Sequence, residues 1–481
     1  MWIGGKRVAA LSGRTYYAVN PATEERIARL PRGGEADIKR ALEAAWLAFP
    51  SWSKRPATGR ARMASAIGQA IKDHAGELGG LEATHRGTPV RYSIPGFLES
   101  AEAFETAARV GPILMNTLLP SRRSTRYCFR LEPAGVCCFT PPWHAPFRLI
   151  AARLASALVA GNACVVECPA GDSLAALRLV ELIEALDIPP GVLNILTGTG
   201  RGGIGVPLPY ADKGSAPAPG SRESSNGPQW SPQEKDIPCA PGLKHPPSLV
   251  VLGDADLDAS VEEAMLDAFS DKGAAWAEPG RYYIHESLYD LFVEKFAAAV
   301  ERIVVGNPAD ARTEIGPALN AALRDRVEHQ ISRALHRGAI LLAGGRTHER
   351  RLPQKGYFLS PTILGGALRD GQGEGKAVFA PLVFLSRFSS IGQILDLTGR
   401  PGLDGGVRIC TADAAEKQRI ALAMRIASPR SGDDGEEAEG GGPPSCQFLR
   451  ASDEFDPCTR VDVVCRNYTT AFSQESPGSR N

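Results

Sequence analysis

The chain has 481 residues, enough for two or three domains with large apolar cores and no need of disulfides. Hydrophobic residues make up 43% and charged residues 22%, and 54 basic residues balance 54 acidic ones. That neutrality gives no electrostatic footprint for nucleic acid or an anionic membrane, so neither is expected as a partner. The first residues show no apolar core with a cleavage site, and no run of about 18 apolar residues occurs anywhere. The ten cysteines are scattered without a CxxC, which predicts reduced core thiols in a cytoplasmic protein.

In chain order, Ile38, Ala41, Leu42, Ala45 and Phe49 lie at helical spacing over residues 35–49. A second helix is predicted after Pro56, with Met63, Ile67, Ala70, Ile71 and Leu78 on one side. Residues 135–139 read as a buried strand, 147–160 as a helix ended by Gly161, and 163–166 as a strand. Asp172 or Ser173 caps a helix through Leu177, Val180, Leu182 and Ile183, and 192–196 is again a strand. This alternation predicts a parallel, doubly wound sheet, whose ligands bind beyond the carboxyl ends of its strands.

A second α/β region opens with a strand at 248–252 and a helix at 256–269. It continues with a strand at 282–284, helices at 287–304 and 319–337, strands near 339–342 and 382–386, and a helix at 413–427. Residues 201–246 are rich in Pro, Gly and Ser with almost no apolar period, and 429–446 have a disordered linker's composition.

Several stretches carry a family likeness. They include Asn20-Pro21-Ala22-Thr23, Glu132-Pro133-Ala134-Gly135-Val136, Pro142-Trp143-His144-Ala145-Pro146, Ala160-Gly161-Asn162, Pro189-Pro190-Gly191-Val192-Leu193-Asn194 and Gly356-Tyr357-Phe358 with Pro361-Thr362. Together they resemble an NAD(P)-dependent aldehyde dehydrogenase over roughly residues 1–200 and 247–427. The resemblance implies an α/β chain of two doubly wound domains with a small oligomerisation β element. A Rossmann-like cofactor domain would take residues 1–121 and 133–246, degenerate over 201–246. An oligomerisation strand would lie at 122–132, a catalytic-type domain at 247–428, and a linker with a low-order tail at 429–481.

The chemistry implied by the resemblance needs a thiolate that attacks the aldehyde and a carboxylate that activates water. Counting back five residues from Arg281 puts Trp276 at the nucleophile position, and indole is no nucleophile. The general base falls on Ala240 or Gly242, and no acidic residue lies between Asp236 and Asp254. The oxyanion-hole asparagine becomes His144, whose neutral imidazole can still donate a hydrogen bond. Trp143 beside it belongs to the same cofactor-facing motif.

The lysine and glutamate that hold the adenine ribose become Glu167 and Ala170, a reversal that opposes a 2′-phosphate but suits ribose hydroxyls. The nicotinamide-ribose glutamate becomes Ala377, while Phe379 is kept. Gly198-Thr199-Gly200-Arg201-Gly202-Gly203 spells GxGxxG but opens no helix. The resemblance implies that the diphosphate instead meets a later Gly-Ser at a helix N-terminus, for which Gly220-Ser221 is the candidate. The eight histidines show no HxxxH or HExxH spacing, so no metal site is expected.

The expected function is therefore an aldehyde dehydrogenase-like scaffold or binding subunit without turnover, its hold on NAD weakened. The alternative is an NAD-dependent oxidoreductase that converts an aldehyde to an acid in a rebuilt site. The partner strand of the oligomerisation element is not recognisable, with residues 461–464 in its place, so a homo-oligomer does not carry over. The family likeness stops sharply at 201 and resumes cleanly after 246. An altered reading frame would leave such a boundary, and re-reading the gene for a Gly-Ser and a Gly-Gly-Lys turn tests this.

Overall fold

The computed structural model describes residues 1–114, 130–133, 135–139, 148–171, 173–198, 216–217, 248–269, 280–345, 352–366, 381–398, 407–427 and 465–468. The N-terminal part holds β1 (Trp2–Ile3), β2 (Lys6–Arg7), the hairpin β3 (Thr15–Val19) and β4 (Arg26–Pro31), and helices α1 (Glu35–Lys54), α2 (Ala57–Asp73), α3 (Ala75–Arg86) and α4 (Val90–Leu114). Then come β5 (Arg130–Pro133), β6 (Val136–Phe139), α5 (Arg148–Ala160), β7 (Ala163–Cys168), α6 (Ser173–Ile183), β8 (Leu193–Thr197) and β9 (Ala216–Pro217). The second region contains β10 (Ser248–Val251), α7 (Leu257–Phe269), β11 (Gly280–His285), α8 (Glu286–Val300), α9 (Ala321–His336), β12 (Ile340–Ala343) and β13 (Thr362–Gly365). It continues with β14 (Leu382–Phe388), α10 (Ile391–Thr398), β15 (Val407–Cys410) and α11 (Ala414–Ala427), and β16 (Cys465–Tyr468) follows.

Two helices differ from the periodic reading. α1 runs past residue 49 and through Pro50 to Lys54. The buried stripe of Ile38, Ala41, Leu42 and Ala45 continues through Ala48 and Trp52, and that burial offsets the hydrogen bond Pro50 cannot make. The helix after Pro56 breaks at His74 (φ −115°, ψ 17°), so Leu78 packs from a separate helix, α3. α1 begins where the Asp37 carboxylate accepts from Gly34 N–H at 3.0 Å, and it also takes Leu11 N–H at 3.0 Å.

The first sheet has the order β2-β1-β8-β7-β6-β9. β6, β7, β8 and β9 run parallel, and β1 adds an antiparallel edge through Trp2↔Ile195. Two asparagines from the recognised motifs build this sheet. Buried Asn162 accepts from Gly135 N–H at 3.0 Å and donates to the Ala157 carbonyl at 3.1 Å, tying the end of α5 to the start of β6. Asn194 accepts from Gly4 N–H at 2.9 Å and donates to the Gly191 carbonyl at 2.7 Å, docking the N-terminus against β8. Gly161, which ends α5, has φ +101°, a left-handed value that glycine adopts without strain.

The second sheet has the order β12-β13-β14-β11-β10-β15, parallel except at β12. Phe292 and Phe296 of α8 pack on Tyr282 and Val383 of its strands in one apolar cluster. The predicted α/β class with doubly wound parallel sheets is what the chain adopts. β5 pairs antiparallel with β16, Cys465 opposite Pro133. The described part of the predicted strand 122–132 is thus its last three residues extended by Pro133. Its partner comes from 465–468, within the span expected to be a low-order tail and just beyond 461–464.

Candidate active site

In each sheet the chain leaves one parallel strand to one side and later returns to its other side, at β6 in the first sheet and β10 in the second, and a ligand crevice is expected at such a point. In the second sheet β10 lies between β11 and β15, and this point is tied together. The Asp254 carboxylate accepts from Thr411 Oγ1 at 2.8 Å and from Ala412 N–H at 3.1 Å, and those hydrogen bonds hold its carboxyl below its ordinary pKa. In the first sheet the reversal lies at β6, between β7 and β9. The carboxyl ends there are Phe139, Cys168 and, one strand further, Thr197.

Of the predicted site residues, only Glu167 is among those described. It is the penultimate residue of β7, 8% exposed, on the strand next to the reversal. That is where an acidic side chain receives ribose hydroxyls in other dinucleotide folds. Trp143, His144, Gly220, Ser221, Trp276 and Phe379 lie outside the described residues, as does Ala377. Of the GxGxxG run only Gly198 is described. Its φ is +63°, and a Cβ there would stand 2.4 Å from Tyr16 Cε1, so close ring packing explains this glycine.

The β7–α6 loop, residues 169–171, borders the crevice, with Ala170 exposed. Three neighbours hold it. Ser173 Oγ donates to the Pro169 carbonyl at 2.9 Å and in turn accepts from Tyr16 Oη at 2.8 Å. Buried His85 of α3 hydrogen-bonds the Ala170 backbone. Gly171 packs so closely on Leu319 that a Cβ would stand 2.5 Å from its Cδ1. Burial pushes the Tyr16 phenol up, which keeps it protonated and able to donate. Sequence reasoning missed Tyr16 and His85. Tyr16 and Ser173 are 157 residues apart, and neither belongs to a spacing that signals the other.

Cys137, Cys138, Cys164 and Cys168 are buried in β6 and β7 and held in no disulfide, as the apolar surroundings predicted. Burial, reinforced by neighbouring thiols, raises the Cys138 and Cys164 thiols well above their ordinary range, the opposite of what a nucleophilic thiolate needs. Cys410, half-buried, is also raised by burial. Among the described residues, no three His, Cys, Asp or Glu side chains gather as metal ligands, and no helix is long and apolar enough to cross a membrane.

The aldehyde dehydrogenase family profile matches residues 8–206 and 246–429, and the chain belongs to that family. It is 32% identical over 407 residues to the 3-sulfolactaldehyde dehydrogenase of Pseudomonas putida, covering 82% of this chain and 81% of that one. It is 30% identical over 404 residues to the betaine aldehyde dehydrogenase of Vibrio vulnificus (strain CMCP6), with 82% and 81% covered. Among solved structures it is similar to PnpE in complex with nicotinamide adenine dinucleotide, with TM-score 0.74, 27% identity, and 88% of this chain and 87% of that one covered. The unmatched stretch 207–245 falls within the Pro, Gly and Ser-rich segment.

Proposed function

We propose that this chain is a cytoplasmic NAD-dependent oxidoreductase that oxidises an aldehyde to a carboxylic acid in a site rebuilt relative to its family. The observation that carries this reading is the first parallel sheet, with its reversal at β6 and an acidic side chain closing β7. The names of the relatives, dehydrogenases of aldehydes, and the dinucleotide complex of PnpE support it. A carboxylate is an acceptor only, which matches a ribose diol and mismatches a 2′-phosphate. Glu167 would therefore hold the adenosine ribose, with the 169–171 loop beside it. His144 would donate toward the developing oxyanion, and Trp143, Gly220, Ser221 and Phe379 would complete the cofactor's surroundings. When bound, the dinucleotide supplies the hydride acceptor, and water supplies the second oxygen of the acid.

The Glu167 assignment predicts that NADP⁺ binds at least about tenfold more weakly than NAD⁺, a difference of about 1.4 kcal/mol from one like-charge contact. Replacing Glu167 by glutamine should narrow that ratio. An unchanged ratio in competitive titrations would remove Glu167 from the ribose site.

A second reading, an aldehyde dehydrogenase-like scaffold or binding subunit without turnover, is favoured by a specific observation. Trp276 occupies the nucleophile position, and neither Ala240 nor Gly242 can act as general base. The raised thiols of β6 and β7 offer no substitute nucleophile.

Calorimetric titration with NAD⁺ and NADH, followed by an aldehyde panel read by NADH formation, separates the two. Micromolar binding with turnover of at least one aldehyde is the expected result. Binding without turnover selects the scaffold reading, and no binding by a folded sample rejects the cofactor site altogether.

A further inference from the structure

The β3–β4 hairpin touches both halves of the molecule. At its tip, residues 20–24 form a tight turn in which Glu24 N–H donates to the Asn20 carbonyl at 2.7 Å. Glu24 has φ +63°, a left-handed conformation rare for a side chain of its size. Its carboxylate accepts from Gly356 N–H at 3.0 Å, and the Pro21 carbonyl accepts from Tyr357 N–H at 2.9 Å. Those residues lead into β13 of the second sheet through Phe358 and Leu359.

At its other end the hairpin lies on the carboxyl ends of β7 and β8. Thr197 Oγ1 donates to the Pro31 carbonyl at 2.7 Å, and Gly33 N–H donates to the Thr197 carbonyl at 2.8 Å. Tyr16 stacks over Gly198 and sends its hydroxyl to Ser173. One hydroxyl thus links the hairpin to the first residue of α6, whose own hydroxyl holds the Pro169 carbonyl.

We propose that Tyr16 is a positioning residue of the crevice: through Ser173 its hydroxyl sets the 169–171 loop, and the hairpin relays the position of the second sheet to that loop. The part that concerns cofactor affinity rests on the dinucleotide reading above. The loop follows directly on the carboxyl end of β7, with Pro169 buried, Gly171 half-buried and Ala170 exposed. Its fixation from Tyr16 and from His85 therefore governs the shape presented to a ligand there.

The test uses the full chain carrying Tyr16→Phe, which keeps the ring packed on Gly198 and removes only the hydroxyl. Ser173→Ala serves as a second variant that breaks the same link from the other side. Amide hydrogen exchange at Ala170 and Gly171 should be faster in both variants than in the parent without any ligand. NAD⁺ affinity should fall about fivefold, the loss expected for one neutral hydrogen bond, with the melting temperature nearly unchanged. A merely structural hydroxyl would lower the melting temperature and leave affinity alone, which would overturn the proposal. Unchanged exchange at Ala170 and Gly171 in both variants would also overturn it. If the parent does not bind NAD⁺ at all, the dinucleotide reading fails, and the exchange measurement still decides whether Tyr16 sets the loop.

Discussion

Trp52→Ala is expected to lower the unfolding free energy by about 3–5 kcal/mol, the range for deleting a buried aromatic side chain. Trp52 is 1% exposed near the end of α1, within the cluster that also contains Leu154 and Leu158 of α5. Its indole Nε1–H donates to the Leu158 carbonyl at 3.1 Å. Truncation removes the ring and leaves a cavity where two helices and the sheet meet. The Leu158 carbonyl also accepts from Gly161 N–H at 3.0 Å, so it is not orphaned when the indole is lost. Trp52→Phe should therefore cost less, about 1–3 kcal/mol, because most of the apolar contact survives. Urea unfolding of the three proteins measures both values. A loss under about 1 kcal/mol for the alanine variant would show that α1 is not seated on α5 as described.

Acidification is expected to destabilise the protein through His85. This side chain is 3% exposed, and its pKa is lowered to about 4, first by burial and then by the adjacent Arg86 charge, with the Ala170 backbone hydrogen bond opposing the shift. The folded value lies below the ordinary 6.5, so between those values the unfolded chain binds more protons than the native one. The contribution is complete above pH 6.5 and falls as pH drops toward 4. It amounts to about 2 kcal/mol lost by about pH 5 and roughly 3 kcal/mol in all. His85→Gln cannot acquire this charge. Denaturant melts of parent and variant should show the parent losing that much more stability between neutral pH and about pH 5. Equal losses in both would remove His85 as the cause. The cost arises from burying the new charge beside Arg86, since the Ala170 hydrogen bond itself favours the protonated ring.

The described strands and the amphipathic helices they alternate with were largely legible, because burial imposes a period that composition alone reveals. The stretch from Gly135 to Leu196 reads strand, helix, strand, helix, strand, and the structure places those elements within about two residues. The break at His74 was not legible, since apolar periodicity carries across two successive helices that bury the same face. Nor was the passage of α1 through Pro50, where packing of Trp52 overrides a local helix breaker. The short antiparallel pair of β5 and β16 joins residues more than three hundred positions apart, a pairing that no local pattern encodes.

The candidate site divides in the same way. The sequence by itself determined the class of fold and the family. Those are matters of residue identity and order. Tertiary structure alone decided which reversal of winding is tied, at Asp254 and Thr411, and which has Glu167 beside it. It also decided that Tyr16 meets Ser173 and that His85 is buried against Ala170. The physical reason is that these contacts join groups far apart in the chain, held in place by the packing of whole sheets and helices. Each contact exists only once the intervening core has formed.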